Sequence, residues 1–336
     1  MSVEERHLIT GTWFMICCDV CETVLSDHMN MPWGARSRDE AVRHISVAGW
    51  TDHGSNGEKV TCSSCQNPAG QEHVEDQDVV HTLDVSEAKE SGMSSWVDGE
   101  LIGFDLETTG VDPYVDVPVS FALVRYEHGE PDPEVWDGII NPGRPIPDTA
   151  IAVHGITNAR AEAEGRDLAE AVGEITSFLF GAAKMGVPVV GMNISYDLKM
   201  IDALNRKLFG RSLSALGWNG PVLDILVIDR HVDGYRKGGR KLIDLCQHYG
   251  VSKADLHTAS KDVEASVAVL LRQCERYPEL GTTDLAKLYQ QQKDWHQDWA
   301  ESFSKYLISK GRNPLSEPEF SWPLDPDSEL LGEEIL

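Results

Sequence analysis

The chain has 336 residues, of which 41% are apolar and 25% charged, and it carries a formal net charge of −26. That length can bury one large core beside a smaller unit, and the composition is normal for a globular protein. The longest apolar runs fall far short of the roughly 18 residues a membrane span needs, and MSVEERHLIT lacks the basic-then-apolar profile of a secretory signal, so a cytoplasmic protein with no membrane partner is expected.

The acid is unevenly spread. Residues 66–100 hold nine acids against one base, and the chain beyond Asn313 holds seven acids and no base. Residues 199–241 reverse the balance, with nine bases against four acids. This basic stretch reads equally well as solvated helix faces or as a phosphate-facing groove.

Composition divides the chain into a Cys- and Trp-rich region (1–68), an acidic linker (69–95), an α/β domain (96–277), a helical extension (278–312) and an acidic, Pro-containing tail (313–336) expected to be disordered. In the first region Cys18 and Cys21 form one CxxC pair, and Cys62 and Cys65 form a second. Two thiolate pairs at this spacing can close a tetrahedral structural zinc site, and so small a region needs a metal to supplement its core. The expected fold there is a small zinc-ribbon-like domain. Cys17 is a less well spaced alternative to Cys18, whereas Cys246 and Cys274 fall on apolar helix faces.

The α/β domain opens with a predicted strand at 101–106, ending at acids. Further strands are expected at 119–126 and 135–140, separated by the turn residues His128, Gly129 and Pro131. Helical spacing of Leu168, Val172, Ile175 and Leu179 predicts a helix over 168–180. A strand at 187–190, a helix at 196–209 and a short strand at 222–226 follow. Helices are predicted at 241–249, 262–276 and 283–309. Three successive strands followed by alternating helix and strand point to a mixed sheet with helices on its faces.

Three segments carry potential chemistry. In FDLETTG, Asp105 and Glu107 lie two apart on a predicted strand and so share a face. Paired carboxylates repel and resist desolvation unless cations neutralise them. Asp197 falls in the first turn of the helix that follows the 187–190 strand, where an Asp also suits the helix dipole. His257 precedes Asp262, which opens an amphipathic helix with Val263, Val267, Leu270 and Leu271 on its core face.

Taken in this order, Asp105 and Glu107, then Asp197, then His257 with Asp262, resemble the DEDDh, or DnaQ-like, 3′–5′ exonucleases. The segments 141–147 and 153–157 also look like the proofreading subunit of bacterial replicative DNA polymerase, and 222–251 is similar to it. The resemblance covers about residues 98–277. Met192 stands where a His is common before Asn193, and Tyr196 stands where Phe is usual.

The resemblance implies a ribonuclease H-like mixed sheet. It also implies two Mg²⁺ or Mn²⁺ ions held by Asp105, Glu107, Asp197 and Asp262, with His257 as general base on the attacking water. Thr108, His154, Gly155, Ile156 and Asn193 match positions that touch the terminal nucleotide. The implied partner is a nucleic-acid 3′ end, single-stranded DNA before RNA, alongside a replication or repair protein. An RNA-trimming exonuclease and a zinc-containing binding protein without catalysis are the alternatives. The intact set of carboxylates speaks against the latter.

Overall fold

The computed structural model describes residues 95–128, 130, 132–252 and 258–326, and the backbone of four strand segments nearer the N-terminus. The chain divides into two compact units, Met1–Ser94 and Ser95–Leu336. In the first, β1 (Val3–Leu8) pairs antiparallel with β2 (Gly11–Ile16), and β3 (Thr51–Asp52) pairs antiparallel with β4 (Val60–Thr61). Cys18, Cys21, Cys62 and Cys65, and the linker over 69–94, lie outside the described residues.

The second unit is built on a five-stranded sheet of order β7-β6-β5-β8-β9. Its members are β5 (Glu100–Thr108), β6 (Pro118–Glu127), β7 (Glu134–Ile139), β8 (Val189–Gly191) and β9 (Val222–Asp224). β5, β6 and β7 pair antiparallel, whereas β8 and β9 add in parallel beyond β5. Tight turns allow the first arrangement, and crossover helices impose the second. Val119, Phe121, Ala122, Leu123 and Val124 of β6 are all buried, as befits a strand covered on both faces. This is the mixed, helix-flanked sheet the strand pattern predicts.

Ten α-helices are found among the described residues. They are α1 (Asp148–His154), α2 (Asn158–Glu164), α3 (Leu168–Met185), α4 (Ser195–Phe209), α5 (Ile225–Val232), α6 (Leu242–Tyr249), α7 (Ala259–Arg276), α8 (Pro278–Thr282), α9 (Leu285–Ser309) and α10 (Glu317–Phe320). None is long and apolar enough to cross a membrane. Cys246 and Cys274 are buried in the helices predicted to hold them. α7 lies across β5 and β6, and Gly103 permits the close approach: a Cβ there would come within 2.2 Å of Val263 Cγ1.

Two expectations need correcting. The short strand predicted over 222–226 stops at Asp224, because the Asp224 carboxylate accepts the Leu226 N–H at 2.9 Å and starts α5. The chain beyond Asn313 is not a disordered tail as far as residue 326; it forms α10 and buries Trp322. Its aromatic and apolar residues supply contacts that the net acidity of the segment conceals. Residues 327–336 lie outside the described residues. Of the nine bases in 199–241, four are engaged by the fold itself. Lys199 is buried, Arg236 and Arg240 reach the buried Asp229, and Arg230 stacks over Trp299 at 3.6 Å.

Candidate metal centre

β5 carries the first two acids. Strand periodicity places Asp105 and Glu107 on one face, and a register irregularity between Glu107 and Thr108 ends the regular pairing with β6. Asp262 enters from the first turn of α7, the helix that Gly103 admits close to β5. Carboxylate oxygens of Asp105, Glu107 and Asp262 lie within 4.8 Å of one another.

Asp197 arrives from the other side of the sheet order. β8 ends at Gly191, the chain turns through Asn193 in the left-handed region at φ 57°, and α4 begins at Ser195. Among the described residues Asn193 is the only non-glycine with positive φ, a conformation that Asn tolerates better than most. Asp197 Oδ1 accepts the Leu106 N–H at 3.1 Å, so its carboxylate is bonded to the backbone between Asp105 and Glu107.

The electrostatics follow from this crowding. Burial, then the charges of Asp197, Glu107 and Asp262, hold the Asp105 carboxyl well above the usual carboxylate range. Burial and Asp262 push Glu107 up to about 7. Asp197 is also raised, by burial first and by Asp224 and Glu107 next, although the Leu106 N–H opposes the shift. Groups that suppress one another's ionisation would ionise together once divalent cations lay among them. The donors are all hard carboxylate oxygens, which suit Mg²⁺ or Mn²⁺. The residues fit such ions.

Next to Glu107 in the chain, Thr108 Oγ1 donates to Gly110 O at 2.7 Å and lies 3.0 Å from the Tyr196 hydroxyl. His154 ends α1 and is buried; its Nδ1 accepts the Ile156 N–H at 3.1 Å, and its Nε2 has no hydrogen-bond partner. Burial lowers the pKa of the ring. Gly155 adopts φ 72° as the helix cap, and Ile156 packs with Val119, Ile146 and Ala150. His257 lies outside the described residues.

Asp224 is a buried acid that no motif singles out. It is 1% exposed, and its Oδ1 accepts both the Leu226 and the Asn193 N–H groups, the latter at 3.0 Å. Gln292 of α9 brackets it, accepting Asp224 N–H at 2.8 Å and donating to Val222 O at 2.9 Å. An Asp closing a strand ahead of an apolar helix was the available signal; Gln292, 68 residues away, left none.

The family match to known proteins falls within the second unit. Residues 102–270 match the family model described as Exonuclease (RNase_T). A DNA polymerase III subunit epsilon-like protein of Rhodobacter capsulatus is 35% identical over 175 residues, covering 50% of this chain and 23% of that protein. A PolC-type DNA polymerase III of Thermotoga petrophila is 26% identical over 195 residues, covering 58% of this chain and 13% of its own length. The chain thus spans less than a quarter of the length of these curated relatives. Among solved structures, E. coli exonuclease I in complex with a dT13 oligonucleotide is 23% identical with a TM-score of 0.45, over 54% of this chain and 43% of that one. On the family match, which spans half of its length, the chain belongs to the exonuclease (RNase_T) family.

Proposed function

We propose that the chain is a metal-dependent 3′–5′ exonuclease that releases nucleoside 5′-monophosphates from single-stranded DNA ends, in proofreading or repair. The observation that carries this reading is the convergence of Asp105, Glu107 and Asp262 within 4.8 Å, with Asp197 bonded to the backbone between the first two. The DNA substrate is taken from the relatives, whose names place them with DNA polymerase III.

Asp105, Glu107, Asp197 and Asp262 would hold two Mg²⁺ or Mn²⁺ ions, which when bound neutralise the charge that builds on the phosphodiester. The protein's own residues do the rest. His257, as an imidazole base, takes the proton of the attacking water. Thr108 and Asn193 border the carboxylates and, with the His154-Gly155-Ile156 turn, position the terminal nucleotide. Cys18, Cys21, Cys62 and Cys65 would hold one structural Zn²⁺ in the N-terminal unit.

The test is the purified protein with Mg²⁺ on DNA and RNA oligonucleotides labelled at either end. The 3′ label should leave first as a mononucleotide while the 5′-labelled strand shortens one residue at a time, faster for DNA. EDTA or Asp105→Ala should lower the rate by more than the roughly 100-fold typical of changes one shell away from a metal. Release of the 5′ label first, or full activity of the variant, would overturn the assignment.

A further inference from the structure

Residues 314–326 lie outside the family match, yet they touch the elements that carry the acids. Ser195, the first residue of α4, donates its hydroxyl to Pro323 O at 2.9 Å. Lys199, one turn further along and 6% exposed, donates to Pro318 O and to Ser321 O and pairs with Asp325 at 3.0 Å. Two of the ammonium's three donors meet carbonyls of this segment, and its charge meets Asp325. Asp325 also accepts the Tyr114 hydroxyl from the loop that follows β5. Trp322 is 7% exposed and points its indole N–H at Asp224 Oδ2, 3.4 Å away.

These contacts meet at one turn. Asp224 takes the indole N–H on one oxygen and the Asn193 N–H on the other. Asn193 sits at φ 57° in the turn that leads into α4. Asp197 lies four residues beyond Asn193 and two beyond Ser195, with its carboxylate bonded to Leu106 N–H. The same strap therefore contacts the turn, through Asp224, and the helix, through Ser195 and Lys199.

We infer that the C-terminal strap 314–326 is a positioning element of the metal centre, in which Trp322, acting through Asp224 and Asn193, and Ser195 set where Asp197 presents its carboxylate. The functional exonuclease unit then extends to residue 326. This inference rests on the proposed metal-binding role of the carboxylates. A strap that served only as a stabilising clamp would lower the melting temperature and leave metal affinity alone. A positioning strap must change metal affinity at a temperature where the protein is fully folded, because misplacing one ligand weakens the ion's site.

The test is calorimetric titration of the full chain with Mn²⁺, without nucleic acid, for the wild type, Trp322→Ala, Trp322→Phe, Ser195→Ala and a chain ending at Asn313. Circular dichroism confirms that each is folded at the temperature used. Trp322→Ala and the truncation should weaken Mn²⁺ binding about 10- to 100-fold, with Trp322→Phe in between because it keeps the packing and loses the N–H. If the truncated chain does not fold, Trp322→Ala and Ser195→Ala decide. Wild-type Mn²⁺ affinity in both folded variants would overturn the inference while leaving the proposed function standing. Failure of the wild type to bind Mn²⁺ would overturn both.

Discussion

Two sites in the second unit treat their carboxylates in opposite ways. Near the end of β5 and the starts of α4 and α7, Asp105, Glu107, Asp197 and Asp262 come together, and the ionisation of Asp105, Glu107 and Asp197 is suppressed by burial and by neighbouring carboxylates. In α5, Asp229 is fully buried, but Arg236 donates to it at 2.8 Å, Arg240 pairs with the same oxygen, and the Tyr249 hydroxyl donates to the other at 2.8 Å. One carboxylate is thus neutralised by the chain itself, and it fastens α5 and the 233–241 loop to α6. The other group needs positive charge from outside the chain. Burial alone does not tell a structural acid from a functional one; the sign of what surrounds it does.

The largest effect expected from breaking this contrast is on stability, at the self-neutralised site. Asp229→Ala leaves two guanidinium groups and a tyrosine hydroxyl without their shared acceptor, and should destabilise the protein by about 3 kcal/mol in urea unfolding. Mn²⁺ affinity of the folded variant should stay near wild type. A loss of metal affinity larger than the loss of stability would show that the two sites are not separable.

A smaller effect should appear in the pH dependence of the metal-free protein. Glu107 is raised in the folded state from an ordinary value of 4.5 to about 7, so between those pH values the folded form binds more protons than the unfolded form. Stability contributed by this group is present below about pH 4.5 and is lost as the pH rises towards 7. Allowing for solvent screening, the loss is about 2 kcal/mol. Saturating Mn²⁺ should abolish that decline, and Glu107→Gln should flatten it in EDTA. A decline that Glu107→Gln leaves unchanged would assign the titration to another group.

Much of this contrast is legible in the chain before folding, for reasons of periodicity. The two-residue spacing of Asp105 and Glu107 puts them on one face of β5 as predicted, and the apolar stripe of Val263, Val267 and Leu270 places α7 on the sheet with Asp262 at its leading turn. Other features have no periodic signature. α1 and α2 span seven residues each, too few for an apolar stripe to be read, and both escape prediction. The basic residues near Asp229 are visible as charge, but nothing in their spacing shows that Arg236 and Arg240 turn inward to a buried carboxylate. The strap is hidden for the same reason. An acidic, proline-containing segment reads as disorder, whereas Trp322 and Asp325 find partners about 100 or more residues away, in Asp224, Lys199 and Tyr114.

The acids at the end of β5 repel one another until a divalent cation joins them. Thermal unfolding of the wild type and Asp105→Asn, each in EDTA and in Mn²⁺, tests it most directly. In EDTA the variant should melt at or above the wild type, because one repelling carboxylate is gone. Mn²⁺ at about 100 times its Kd should raise the wild-type Tm by about 5–10 °C and leave the variant unmoved. A variant that melts well below the wild type in EDTA, with both gaining equally from Mn²⁺, would contradict the account.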